Sequence, residues 1–104
     1  MNFTIYLAEK GKSFALQVSC TKQTDYVEEY TVVAGAKQLL FRCNRPELRN
    51  FKKRGSIKWQ LVSKSFDIAE KDFQKAAMYL LEIQDKIEMH IEPLPTFQQI
   101  RNKI

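Results

Sequence analysis

Cysteine, histidine, tryptophan, proline and glycine are all scarce in this sequence, with two, one, one, three and three residues among 104. The two cysteines, Cys20 and Cys43, lie far apart without a C-x-x-C spacing, which excludes a disulfide framework and suggests no zinc site. Both fall in alternating apolar patterns, the setting of a buried, reduced thiol. The low glycine and proline content, beside 44% hydrophobic residues, argues against a disordered or low-complexity chain. No apolar run approaches the ~18 residues that cross a bilayer, and Met1-Asn2-Phe3-Thr4-Ile5-Tyr6 carries no basic leader pattern. A cytoplasmic protein without a membrane partner is therefore the expectation.

Groups for catalysis are equally sparse. No G-x-S-x-G, H-E-x-x-H or phosphate-loop glycine pattern occurs, and Gly11, Gly35 and Gly55 all fall where turns are predicted. His90 stands near the end of a predicted helix, where an imidazole suits the helix dipole as readily as chemistry. Its pairing with Cys20 or Cys43 is left open by the sequence. Glu82, Asp85 and Glu88 recur at three-residue spacing, which reads as a solvated helix face rather than a magnesium site. The expectation is a protein that is not an enzyme and holds no metal or cofactor.

What is present is a strong alternation of apolar and polar residues. Residues 3 to 8, 13 to 20, 27 to 33, 38 to 43 and 57 to 62 each read as a strand; Phe14, Leu16, Val18 and Cys20, for instance, alternate with Ala15, Gln17 and Ser19. Polar turns at 9–12 and 34–37 predict hairpins. The period then changes: Phe73, Ala76, Ala77, Leu80, Ile83 and Ile87 follow helical spacing, and Asp67 with Glu70 resembles a capping box, so a helix of about five turns is predicted from near Asp67. Pro93 and Pro95 end it. The tail, 93–104, is predicted to make at most a short docked helix through Phe97, Ile100 and Ile104, outside one domain spanning 1–92.

The predicted architecture is α+β: an antiparallel meander of four to five strands, a long C-terminal amphipathic helix on one face, and a short basic helix between strands four and five. This order is similar to that of several small nucleic-acid-binding folds, the Pur-type repeat among them, as a likeness of architecture without a matching family motif.

Charge is unevenly distributed. The chain is +5 overall, but residues 37 to 64 hold nine basic residues against Glu47 alone, leaving the remainder at −3. The connection from Asn44 to Ser56 has helix signals: Asn44 as N-cap, Pro46 in the first turn, Glu47, and Gly55 as a stop. A helix from Arg45 to about Lys53 turns Leu48 and Phe51 toward the core and lines Arg45, Arg49, Lys52 and Lys53 along another side. Such a stripe matches the phosphates of a nucleic acid, DNA or RNA. The predicted phosphate contacts are Arg42, Arg45, Arg49, Lys52, Lys53, Arg54 and Lys58. Tyr6, Tyr26, Tyr30 and Phe51 are candidates for stacking on bases, whereas Trp59 alternates with Ile57 and Leu61 and reads as core. The alternative is a protein-interaction module, in which the basic segment meets an acidic protein surface or another copy in a homodimer.

Overall fold

The computed structural model describes residues 2–91; the predicted tail, 93–104, lies outside them. Five strands form one antiparallel sheet in chain order: β1 (Asn2–Glu9), β2 (Lys12–Gln23), β3 (Glu28–Ala34), β4 (Lys37–Cys43) and β5 (Trp59–Lys64). Helix α1 (Arg45–Asn50) joins β4 to β5, and a 3-10 turn (Glu70–Asp72) leads into α2 (Phe73–His90). The α+β meander with its long C-terminal helix and short intervening helix is thus present.

Register follows from the turns. Glu9 pairs with Lys12, so only Lys10 and Gly11 bridge β1 and β2, and both have positive φ (49° and 76°), the two-residue turn whose twist suits a hairpin. From that anchor the period of two assigns the faces. Leu7 opposes Phe14, Ile5 opposes Leu16, Val18 opposes Val32 and Tyr30 opposes Phe41, all on the face that α2 covers. Most of these side chains are buried and form one core with Leu39, Cys43, Ile83, Ile87 and Ile91, although Phe14, near the hairpin end, is largely exposed.

Three contacts set α2 across the sheet. Near its N-terminus Lys75 Nζ lies 2.8 Å from Glu9 Oε1; at its end the His90 ring stacks on Phe3 with centroids 4.8 Å apart; and between them Glu88 accepts a hydrogen bond from Trp59 Nε1. The ammonium of Lys75, with the Tyr79 hydroxyl, holds the Glu9 carboxyl below the ordinary carboxylate range. The C-terminal half seats tightly through Ile83 and Ile87. The N-terminal half stands over an apolar cleft of about 420 Å³ lined by Leu7, Leu16, Leu39, Ala76 and Leu80 among others.

Two departures from the predicted boundaries lie at the starts of α2 and β5. The capping box of Asp67 and Glu70 does not form: Ala69 is extended, α2 begins only at Phe73, and Phe73 itself is exposed. Strand β5 starts at Trp59 rather than Ile57. The reason is a clasp between its approach and β4, in which Asn44 N donates to Lys58 O (3.3 Å) and Lys58 N donates to Asn44 Oδ1 (2.8 Å). That use of the side chain also means Asn44 does not cap α1.

Both cysteines are free thiols. Burial, with the nearby Glu28 charge, raises Cys20, and burial pushes Cys43 up to about 11. Cys43 Sγ lies 3.9 Å from Glu28 Oε1 as a weak donor. The native protein is expected to react with a chromogenic disulfide reagent near pH 8 far more slowly than after denaturation, with Cys43 the slower site. A native reaction as fast as the denatured one would contradict the burial. Because Cys43 is raised in the fold, the unfolded chain releases its thiol proton first between the ordinary value of 9.0 and about 11, so stability falls as pH rises through that window.

Candidate nucleic-acid interface

The basic segment and two of the aromatic candidates, Tyr26 and Phe51, meet at one end of the sheet, where the β2–β3 loop docks on α1. Thr24 organises that loop: its Oγ1 accepts from Val27 N (3.0 Å) and Tyr26 N (3.2 Å), and its own N donates to Val27 O (2.8 Å). Two bonds fasten it to the helix, from Glu47 N to Tyr26 O (3.2 Å) and from Asn50 Nδ2 to Asp25 O (3.0 Å). The outcome is a pair of stacked rings, Tyr26 and Phe51, with centroids 5.2 Å apart and planes inclined by 23°. They are 57% and 49% exposed, so the pair is open to solvent on its outer side.

Phe51 therefore does not anchor the segment to the core, as its three-residue spacing from Leu48 predicts. The helix has already ended: Asn50 is its last residue, and Lys52 takes the left-handed conformation with φ 53°. Lys53 N then reaches back to Leu48 O (3.0 Å), closing the helix with the longer of the two bonds of a Schellman turn. Glycine ordinarily fills that left-handed position. Here a lysine does, at a conformational cost of about 1–2 kcal/mol.

The predicted phosphate contacts divide into two groups. Arg45 is overturned: it is 4% exposed, turned inward from the first residue of α1, and its Nε and Nη2 donate to Glu28 Oε1 (2.7 Å) and Oε2 (3.0 Å). The buried Glu28 carboxylate raises the guanidinium's pKa further. Arg42 is committed as well, its Nε and Nη2 both donating to Glu29 Oε2 (2.8 and 2.6 Å) across the open face of the sheet. Lys53 pairs at the surface with Glu47 (2.7 Å). Arg49, Lys52, Arg54 and Lys58 are exposed, and among the described residues Arg49, Lys52 and Lys58 have no carboxylate partner.

The aromatic candidates divide too. Tyr30 is overturned: it is 1% exposed, lies in the core opposite Phe41, and burial together with the Glu28 charge drives its hydroxyl pKa upward. Tyr6 is exposed, but in the middle of the edge strand β1, three strands from β4, which leads into α1. Trp59 packs against Tyr30 and Phe41, as its alternation predicts.

Glu28 and Glu29 were the residues that sequence reasoning missed. Two adjacent carboxylates at the head of a β-rich run necessarily point to opposite faces, and each there meets one arginine from the basic segment. Their consequence is that two of the nine cations are neutralised by carboxylates outside the segment. Among the described residues no group of three or more His, Cys, Asp or Glu side chains is arranged to hold a metal ion, and no helix is long and apolar enough to cross a membrane.

This site belongs to an antiparallel α+β sheet protein. Compared with known proteins, the chain matches no family model, no curated protein and no solved structure.

Proposed function

We propose that this protein binds single-stranded nucleic acid at the end of the sheet formed by the β2–β3 loop and α1, and that it is not an enzyme. The observation that carries the reading is the exposed Tyr26–Phe51 stack, whose Phe51 sits in the same connection as the exposed Arg49, Lys52, Arg54 and Lys58. An aromatic face offers a base sequence-tolerant stacking, and the neighbouring cations neutralise the phosphates on either side.

Titration of labelled single- and double-stranded DNA and RNA, at several salt concentrations, tests it. With three to four phosphates contacted, log K should fall with log salt at a slope of about −2 to −3 for a single strand. Absence of binding at ~50 mM salt rejects the proposal. Lys52→Gly provides a further check, because it relieves the strained conformation while removing one cation. It is expected to raise stability by about 1 kcal/mol in urea denaturation and to reduce the salt slope by about 0.7. A stability loss would contradict the assigned helix stop.

One feature favours a second reading as an interaction module. The outer side of α2 exposes Met78, Leu81 and Met89 around Asp85, an apolar and acidic surface that complements the basic end of another copy. Charge-paired self-association of this kind dissolves as salt rises, which sedimentation detects directly.

A further inference from the structure

The two edges of the sheet are built differently. β5 has six residues, its register with β4 slips between Leu40 and Phe41, and lysines stand at its approach and end, Lys58 and Lys64. Each of these features discourages another strand from adding there. β1 is longer and carries charge only at its hairpin end, in Glu9 and the following Lys10. Its eight residues pair with β2 in unbroken register from Asn2↔Ser19 to Glu9↔Lys12, and from Asn2 to Ala8 it contains neither proline nor a charged side chain.

The hairpin decides which backbone groups of β1 are left unpaired by β2, and among the described residues these have no other backbone partner. In a two-residue turn the closing pair, Glu9 and Lys12, exchanges hydrogen bonds, so Leu7↔Phe14, Ile5↔Leu16 and Phe3↔Val18 do likewise at intervals of two. The N–H and C=O groups of Asn2, Thr4, Tyr6 and Ala8 consequently point away from β2. We propose that a second copy of this chain pairs with this edge, β1 against β1 about a two-fold axis, making a continuous ten-stranded antiparallel sheet from two five-stranded ones.

Symmetry and chemistry together select the register. A two-fold antiparallel pair must join even residues to even residues for their free groups to meet. Placing Thr4 opposite the partner's Tyr6, and Asn2 opposite the partner's Ala8, satisfies this. The same register sets Ile5 against the partner's Ile5 and Phe3 against the partner's Leu7, extending the apolar layer beneath α2 from one copy into the next. Sliding by one further pair toward the hairpin would bring Phe3 against the partner's Glu9, a carboxylate inside an apolar row. In the favoured register no two like charges face each other. The two basic ends then lie at opposite strand ends on either side of the joined edge, with β1 and β2 of both copies between them, so a single nucleic-acid strand long enough could engage both. The dimer does not depend on that binding.

Sedimentation of the full chain from about 1 to 200 μM, at about 0.1 and 1 M salt, reads the outcome. The expected result is a dimer that persists at high salt, with the Thr4 and Tyr6 amides protected from hydrogen exchange only at concentrations where the dimer forms. Tyr6→Pro removes an N–H that the β1–β2 ladder does not use and should raise the dimer dissociation constant at least about tenfold while circular dichroism stays native. The double change Thr4→Lys with Tyr6→Lys, which sets like charges opposite each other, should do the same by another route. A monomer throughout, a dimer that dissolves in high salt, or one indifferent to both variants overturns the proposal.

Discussion

Glu28→Ala is expected to destabilise the fold by about 3–5 kcal/mol, a large part of what a domain of this size has available. The reason is electrostatic. Glu28 and Arg45 are 2% and 4% exposed and bond through both carboxylate oxygens; Gln23 Nε2 adds a third contact to Oε2 at 3.3 Å. Removing the carboxylate leaves a guanidinium that cannot shed its charge in a space with little water. Arg45→Ala leaves the converse, a buried carboxylate beside Cys43 and Tyr30, and should cost a similar amount. The double change Glu28→Leu with Arg45→Met replaces both charges by apolar groups of comparable volume and should recover most of the loss, because the desolvation of the pair had offset much of its attraction. Urea denaturation of the four proteins reads this directly. A cost below about 1 kcal/mol for either single change would instead mean that the pair is solvated like a surface ion pair. Arg45 is also the first residue of α1, so the single changes should loosen the helix that presents Phe51 and Lys52.

Tyr26→Ala and Phe51→Ala are each expected to weaken binding to single-stranded nucleic acid by about 1–3 kcal/mol, roughly 5- to 150-fold. Their effect on stability should be smaller, since both rings are half exposed and their mutual stacking contributes only about 0.5–1.5 kcal/mol. The informative comparison is with removal of Arg49, Lys52 and Lys58 together. Loss of a stacking platform lowers affinity at every salt concentration and leaves the slope unchanged. Loss of three phosphate contacts flattens the slope by about 2. Anisotropy titrations across salt separate the two, and if the aromatic changes leave affinity unaltered then the stack is not the base platform.

How far the site was legible can be judged residue by residue. The exposure of Arg49, Lys52 and Lys58 follows from a polar connection between strands, and the sequence contains everything needed to expect it. Arg45 stands in the same run with the same spacing, yet its direction depends on a carboxylate seventeen residues earlier in the chain. Such a partner is invisible to local periodicity. Tyr30 was misjudged for a related reason: in β3 both alternate sets, Tyr30, Val32 and Ala34 against Thr31 and Val33, contain apolar residues, so alternation alone leaves the phase of the strand open. Pairing of Tyr30 with Cys20 on one side and Phe41 on the other closes it. The cap at Asn44 failed because a backbone amide of the incoming β5 segment competes for the same side-chain oxygen.

By itself the sequence determined the order of a four- to five-stranded meander, the helical period after Asp67 and the concentration of positive charge between residues 37 and 64, because each is written in neighbours within a few positions. Only the tertiary structure decided which cations remain available and which aromatic rings are exposed. Those outcomes depend on the alignment of strands with one another, and it is this alignment that buries Arg45 against Glu28, commits Arg42 to Glu29 and brings Phe51 onto Tyr26.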